Sequence, residues 1–144
     1  MKNLNDKYIW ITGASDGIGK ELAIQLAKKG AHIILTARNI DKLNQVKNSL
    51  NGTKHLVYPM DLLKTEEIPE KVKNLLQQVP TIDSLVNNAG ISQRSLVKET
   101  SIDVDRKIME LDHFSKVILT KSLLPHFLEK KSGQVVTILS LIHI

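Results

Sequence analysis

Short apolar runs alternate with longer stretches of mixed polarity along the whole chain. Five runs of five residues are rich in apolar, β-branched and aromatic side chains, a composition typical of strands. They are residues 8–12, 32–36, 54–58, 82–86 and 134–138. Because most positions in these runs are apolar, we expect the strands to be covered on both faces of their sheet.

The stretches between the runs carry apolar residues at helical spacing, so we predict four helices. They run from Ile18 to a stop at Gly30 and over residues 41–50, 65–79 and 104–128. Pro69 interrupts or starts the third helix, and Pro125 bends or ends the fourth. The fourth is apolar on more than one side, which is typical of a helix buried between a sheet and another surface.

This order of strands and helices predicts a parallel sheet with helices on both faces. The chain shows no internal repeat, low-complexity tract or linker, and its 144 residues are about the length of one domain. We therefore predict a single α/β domain over residues 1–144, built on a doubly wound parallel sheet.

Composition excludes several classes of function. Hydrophobic residues make up 42% and charged residues 24% of the chain, which is ordinary for a globular protein. The absence of cysteine excludes a disulfide scaffold, a Cys-ligated zinc site and thiol catalysis. The five histidines lack metal-ligand spacing, so we predict no metal site. The start of the chain lacks the apolar stretch of a signal peptide, and no run could span a bilayer, so we expect a cytoplasmic protein without a membrane partner.

The net charge of +5 points to an anionic partner or to a solvated basic surface. The lysines are scattered, no basic run reaches five residues, and the five aromatic residues do not lie among them. A nucleic-acid surface needs clustered charge together with stacking rings. We therefore expect no nucleic-acid partner and interpret most of the lysines as solvated helix faces.

A glycine-rich loop joins the first strand to the first helix. Glycine permits the backbone angles of a tight turn and the close approach of a phosphate. The helix that follows offers free N–H groups and a positive dipole end to a pyrophosphate. A tight structural turn is the alternative, but the position between a strand and a helix favours nucleotide binding. The candidate cofactor-binding residues here are Gly13, Ser15, Asp16, Gly17, Ile18 and Gly19.

The spacing of this loop, Thr-Gly-x-x-x-Gly-x-Gly, resembles that of the short-chain dehydrogenase/reductase family. Four further segments resemble the family's motifs in the same order. They are Asp61-Leu62 after the third strand, Asn87-Asn88-Ala89-Gly90 after the fourth, residues 108–112 in the long helix, and residues 133–138 at the fifth strand. The resemblance covers about residues 6–138, essentially the whole chain.

The resemblance implies a Rossmann-type sheet with strand order 3-2-1-4-5 and a dinucleotide cofactor. It implies that Asp61, with Leu62 beside it, hydrogen-bonds adenine, although an Asp after a strand could instead cap the next helix. It implies that Asn88, Ala89 and Gly90 form a wall against the ribose on the adenine side. Asn87 is interpreted as structural, tying strands together through its side chain.

The end of the second strand indicates which dinucleotide is bound. An NAD-binding unit places a carboxylate there, but this chain has Ala37, followed by Arg38 and Asn39. A guanidinium suits a phosphate by its charge and its planar donor fork. We therefore predict that Arg38 and Asn39 bind the cofactor and that NADP(H) is favoured over NAD(H). The alternative is a solvated arginine that Asp41 partly neutralises.

The resemblance implies hydride transfer between the nicotinamide and a carbonyl or secondary-alcohol carbon of a small molecule. The family's acid/base is the Tyr of a Tyr-x-x-x-Lys motif, because a phenol needs a nearby cation to work near neutral pH. The chain's two tyrosines, Tyr8 and Tyr58, are not followed by Lys at that spacing. The candidate catalytic residues are Ser140, at the position of the family Ser, and Asp112, which replaces the family Asn. Asp112 could instead be a buried polar residue satisfied by the neighbouring strand.

Residues 139–144 depart from the family pattern, and one codon choice for them reads as the end of a transposon-type sequencing adapter. We hypothesise that the gene continues past Ile138, so that Ser140 is a coincidence of translation. The chain is then an N-terminal fragment that ends before strands six and seven. The long helix resembles one that the family uses for subunit packing, which predicts a homodimer or homotetramer. The alternative function is a non-catalytic NADP(H)-binding sensor or scaffold.

Overall fold

The predicted alternation folds into one parallel sheet of five strands with helices on both faces. The computed structural model describes residues 4–139. The strands are β1 (Tyr8–Thr12), β2 (His32–Thr36), β3 (Leu56–Val57), β4 (Ser84–Asn87) and β5 (Gln134–Thr137). Their order in the sheet is β3-β2-β1-β4-β5, and every pairing is parallel. The predicted fold class and strand order are confirmed.

Within the described residues, five α-helices connect and cover the strands. They are α1 (Gly17–Lys28), α2 (Ile40–Asn48), α3 (Ile68–Leu76), α4 (Ile102–Met109) and α5 (Ser115–Glu129). Short 3₁₀ turns precede α3 and α4, and a π-helical turn at Glu110–Phe114 joins α4 to α5. The predicted fourth helix is therefore two helices with a wider turn between them, and Pro125 lies inside α5 without ending it.

Alternate residues of β1 face two separate cores, one on each side of the sheet. Trp10 is fully buried in the core that α3 and α5 cover, whereas Ile9 and Ile11 belong to the core that α1 and α2 cover. Burying a side chain of this size stabilises the fold by about 1.5–3 kcal/mol. Trp10 also donates from Nε1 to Thr36 Oγ1 at 2.8 Å, so its one polar atom is satisfied. Both faces of the sheet are covered, as predicted.

Helix α1 packs on the sheet through small residues. Gly19, Ala23 and Ala27 recur every four residues and are its buried positions. Their small size lets the helix axis approach the strands closely. Ile18 is 65% exposed and lies on the outer side of the first turn.

The third strand and the third helix are shorter than predicted. Only Leu56 and Val57 form strand. At the amino end of this strand the His55 imidazole accepts the hydrogen bond of Ile33 N at 3.0 Å in place of a backbone carbonyl. The predicted helix over 65–79 is a 3₁₀ turn followed by α3, and it begins where Pro69 occupies the first turn. A proline there loses no hydrogen bond, since the first N–H groups of a helix have no partner within it.

The long helix is covered on one side. Ser115, Leu119, Leu123 and Phe127 are the buried positions of α5. On the other side Phe114 is 47%, Leu124 44% and Leu128 67% exposed. Within residues 4–139 the outer side of this helix is exposed, and its expected burial against another surface stays a prediction. No helix in that part of the chain is both long and apolar enough to cross a membrane.

A cluster of polar contacts ties the amino end of β4 to the end of α5. Asp83 accepts from Lys130 Nζ at 2.8 Å and from Tyr8 N at 2.9 Å. Burial alone would raise the pKa of Asp83, but these hydrogen bonds and the charges of Lys130 and Lys7 lower it below its usual value. The cluster holds the end of the sheet that lies opposite the glycine loop.

His55 makes the stability of the fold pH-dependent. Its Nδ1 accepts from Ile33 N and its Nε2 lies 2.8 Å from Asn51 O, so the ring is neutral and Nε2 donates. Burial lowers the pKa of His55 below its usual value. The unfolded chain therefore takes up a proton at a higher pH than the folded chain, and stability is lost as the pH falls below about 6.5.

We expect His55→Gln to weaken this pH dependence, because an amide accepts and donates as the neutral ring does but does not titrate. The measurement is the free energy of unfolding by urea at pH 7.5 and 5.5. His113→Gln is the matched control, since His113 is exposed, and it should keep the wild-type drop. An equal drop in wild type and His55→Gln would contradict the assignment.

Candidate functional site

The carboxyl ends of β1, β2 and β4 meet where the order of the strands reverses. β1 lies between β2 and β4, so the segments that follow these strands diverge and leave a crevice. In open α/β sheets, ligands bind at such a crevice. A cavity of about 680 Å³ opens there. It is lined by every predicted cofactor-binding residue except Gly19, and also by Ala37, Lys42, Met60, Leu63, Ile91 and Leu111.

The glycine loop forms the floor of this cavity and needs glycine for reasons of backbone geometry. Gly13 and Gly17 have φ values of +65° and +52°, in the left-handed region. A Cβ on Gly13 would lie 2.9 Å from Ala89 Cα, and one on Gly19 would lie 2.5 Å from Asn88 Nδ2. Gly19 is therefore buried beneath the loop rather than exposed in the cavity. The floor is bare backbone at the start of α1, where N–H groups lack partners within the helix.

Thr12 and Asn88 fasten the glycine loop to the segment that follows β4. Thr12 Oγ1 accepts from Asn88 N and from Ala89 N, each at 3.0 Å, and donates to Val86 O at 3.3 Å. In return, Asn88 Nδ2 donates to Thr12 O at 3.0 Å and to Gly13 O at 3.2 Å. The floor and one wall of the cavity are thus held by one connected set of hydrogen bonds.

Two cations lie on the wall that follows β2. Arg38 is exposed, and among residues 4–139 no hydrogen bond or ion pair holds its guanidinium. Asn39 caps α2, and its Oδ1 accepts from Lys42 N at 2.9 Å. Lys42 Nζ lies 3.9 Å from Asp16 Oδ2. Sequence reasoning missed Lys42; the available signal was a basic residue in the first turn of the helix after the second strand.

The segment after β3 supplies a further wall, next to the one that follows β2. Asp61 Oδ1 accepts from Leu63 N at 3.1 Å, so it closes a local turn. Neither the 3₁₀ turn nor α3 has a side-chain cap, and the alternative that Asp61 caps the next helix is wrong. Leu62 and Met60 are each 5% exposed and give this wall its apolar surface.

The π-helical turn places Asp112 against the segment that follows β4. Asp112 Oδ1 accepts from Ile91 N at 2.9 Å, and a Cβ on Gly90 would lie 3.2 Å from the same oxygen. Asp112 is thus satisfied by this segment and not by a strand, which corrects the alternative given above. Leu111, next to it, lines the cavity.

Asn87 ties β4 to a helix rather than to another strand. Its Nδ2 donates to Thr120 Oγ1 of α5 at 3.1 Å. Its Oδ1 is buried and has no partner among residues 4–139. The structural role expected for Asn87 agrees with this burial, but the expected strand–strand link is wrong.

The remaining catalytic candidate is Ser140, and the two tyrosines are the other hydroxyl groups considered for acid/base chemistry. Ser140 lies outside the described residues. Tyr8 and Tyr58 do not line the cavity. The Tyr58 hydroxyl donates to Lys71 O at 2.8 Å, and burial raises the pKa of this phenol. Among residues 4–139, no group of three or more His, Asp or Glu side chains is placed to hold a metal ion.

Comparison with known proteins agrees with this geometry. A sequence model of the family described as "short chain dehydrogenase" matches residues 7–143. The human protein named "Dehydrogenase/reductase SDR family member 7" is 46% identical over 147 aligned positions, which cover 98% of this chain and 43% of the human protein. The chain therefore spans less than half the length of this relative.

Solved structures share the fold. A putative short chain dehydrogenase from Escherichia coli CFT073, complexed with NADPH, superposes with a TM-score of 0.86 at 33% identity and covers 94% of this chain and 59% of that one. L-Sorbose reductase from Gluconobacter frateurii, complexed with NADPH and L-sorbose, has a TM-score of 0.87 at 30% identity, with coverage of 94% and 52%.

The Thr12 hydroxyl is expected to stabilise the chain measurably. Thr12→Val keeps the shape of the side chain but leaves the N–H groups of Asn88 and Ala89 without their acceptor. Leaving a buried group unsatisfied costs about 1–3 kcal/mol, so urea unfolding should show a loss of that order. Thr12→Ser keeps the hydroxyl and should unfold closer to wild type. Equal losses in the two variants would assign the effect to packing instead.

Proposed function

This chain belongs to the short-chain dehydrogenase family, and on that premise we propose that the protein is an NADP(H)-dependent oxidoreductase. It transfers a hydride to or from the carbonyl or secondary-alcohol carbon of a small molecule. The observation that carries the proposal is the cavity at the strand reversal. It combines a floor of glycine backbone with an arginine on its rim that has no partner among residues 4–139.

The residues of the cavity fit a dinucleotide. Its volume of about 680 Å³ lies within the range of small-molecule sites, about 300–1,000 Å³. The positive φ at Gly13 and the missing Cβ leave the room that a pyrophosphate needs above the start of α1. Asp61 and Leu62 are the proposed adenine contacts. The segment Asn88-Ala89-Gly90, which Thr12 fixes in place, is the proposed wall against the ribose.

The rim of the cavity supports NADP(H) over NAD(H). Ala37, where an NAD-binding unit has a carboxylate, has no charge with which to repel a 2′-phosphate. Arg38 follows it with a planar fork of donors that suits such a phosphate. Two of the similar structures are complexes with NADPH, which supports this proposal.

The nicotinamide supplies or accepts the hydride when the cofactor is bound. The chain's own residues bind and orient: the glycine loop receives the pyrophosphate, Arg38 and Asn39 hold the phosphorylated ribose, and the Asp112 carboxylate positions the segment that ends at Ile91. The last role is positional, since Asp112 holds a backbone N–H at 2.9 Å and does not line the cavity. An ionised carboxylate accepts hydrogen bonds and donates none, so this contact suits it.

Other parts of the proposal stay predictions. They are Ser140 as the residue that orients the substrate oxygen, the class of carbonyl or alcohol substrate, assembly as a homodimer or homotetramer, and a cytoplasmic location. No contact in residues 4–139 favours the non-catalytic sensor over the oxidoreductase.

Arg38 is expected to determine cofactor preference. Arg38→Gln removes the charge, and a hydrogen bond to a charged group is worth about 1.5–3 kcal/mol, so NADPH affinity should fall about tenfold or more. NADH affinity should change little. Nicotinamide fluorescence titration measures both. Arg106→Gln, on the exposed side of α4, makes the same change in net charge away from the cavity and should leave both affinities unchanged. Wild-type protein that prefers NADH would contradict the proposal.

Hydride transfer is tested by incubating the protein that carries this chain with NADPH and a panel of ketones and aldehydes. The expected result is loss of the reduced nicotinamide absorbance with at least one compound and formation of the corresponding alcohol. NADPH binding without turnover across the panel would instead favour the sensor.

A further inference from the structure

We infer that Lys42 and Asp16 together set the selectivity of the cavity for a 2′-phosphorylated dinucleotide, Lys42 as a second cation and Asp16 as its competing anion. This inference rests on the proposed function, because it concerns the same cavity. It adds a residue that the sequence motifs do not indicate, and it gives Asp16 a role opposed to simple cofactor binding.

The backbone of Lys42 is held at the cavity, while more than half of its side chain is exposed. Lys42 N donates to the Asn39 cap at 2.9 Å, so the first turn of α2 sets the position of Lys42 relative to the end of β2. Its side chain is 55% exposed and lines the same cavity as Arg38 and Asn39. The ammonium group can therefore reach a ligand beside Arg38 without a change in the backbone.

Charge balance calls for a second cation. A phosphate monoester carries a charge of about −1.5 to −2 at neutral pH. Arg38 supplies one positive charge, and Lys42 is the other basic residue among those that line the cavity. Two acidic residues, Asp16 and Asp61, line it as well, so the charged side chains of the wall sum to zero without a ligand. The cavity therefore favours a dianionic group only at a position where both Arg38 and Lys42 contact it.

The present partner of Lys42 is easily exchanged. Lys42 Nζ and Asp16 Oδ2 are 3.9 Å apart, at the edge of ion-pair distance, and the side chains are 55% and 81% exposed. Exposed pairs of this kind contribute little, because water and salt screen them. A phosphate offers a larger negative charge and more acceptor oxygens than one carboxylate. When Lys42 leaves Asp16 and binds the phosphate, it therefore loses a weak ion pair and forms a stronger one.

The negative charge of Asp16 is not needed for its structural role. Asp16 caps α1 by accepting from Gly17 N at 2.8 Å. Asn caps a helix about as well as Asp does. Asp16→Asn therefore removes the anion from the mouth of the cavity and keeps the cap, which isolates the electrostatic effect.

The test measures the dissociation constants of NADPH and NADH for wild type, Lys42→Gln, Asp16→Asn and the double variant. We expect Lys42→Gln to weaken NADPH binding about three- to tenfold, because the contact joins two charged groups but is partly exposed. The dissociation constant of NADH should stay within about twofold of the wild-type value. Asp16→Asn should tighten NADPH binding by a smaller factor, up to about threefold, because the pair that it removes is exposed and weak. In the double variant the effect of Asp16→Asn should be smaller, because the two residues share one contact.

Two further readouts locate the effect at the 2′-phosphate. Lys42→Gln should weaken binding of adenosine 2′,5′-bisphosphate but not of 5′-AMP. It should also make the salt dependence of NADPH binding less steep, since one screened charge is gone. Lys28→Gln, exposed at the other end of α1, is the control and should match wild type in every titration. Equal melting temperatures would show that the variants are folded alike.

Each outcome decides between the two proposals. If Arg38→Gln lowers NADPH affinity and Lys42→Gln does not, the proposed function stands and the role of Lys42 is overturned. Equal weakening of NADPH and NADH by Lys42→Gln overturns it as well, because the residue would then act on the shared part of the ligand. Wild-type protein that binds neither coenzyme overturns the proposed function together with this inference.

Discussion

The structure of the site depends on the hydroxyl of Thr12. It is the last residue of β1, it is 1% exposed, and its oxygen receives two backbone N–H groups from the segment after β4. Those two segments leave the sheet in different directions, and without a common anchor the distance between them would not be fixed. Asn88 completes the link through two carbonyls of the first strand and the glycine loop. The floor and one wall of the cavity therefore behave as one rigid unit.

The parts of the structure that sequence predicts are those that local patterns determine. The parallel sheet with helices on both faces follows from the alternation, and the role of Gly13 follows from the turn that joins β1 to α1. The strand order comes from the resemblance to the family. Lys42 was missed because its relevance comes from α2 lying beside the glycine loop, which is a tertiary contact. The same is true of His55, whose ring replaces a carbonyl at the edge of β3, and of Asp112, whose partner lies 21 residues away in the chain.

The electrostatics of the cavity follow from which charges are already paired. Asp61 accepts a hydrogen bond from Leu63 N, and Asp16 accepts one from Gly17 N. Both anions therefore stabilise the backbone close to them in the chain. Arg38 has no partner among residues 4–139, which leaves it available to a ligand. A charged residue with no structural partner at a concave surface is a stronger indication of function than its mere presence in the sequence, since the structure itself does not require it.

The two ends of the sheet hold different kinds of contact. At the amino ends, Asp83 and Lys130 join strand and helix through an ion pair, and neither residue lines the cavity. From Asp83 to Asn88 the chain advances about 16 Å at the rise of a strand. Substitutions around Asp83 can thus raise or lower the resistance of the domain to heat while its ligand chemistry stays the same. Thermal adaptation and specificity can evolve independently in one small domain.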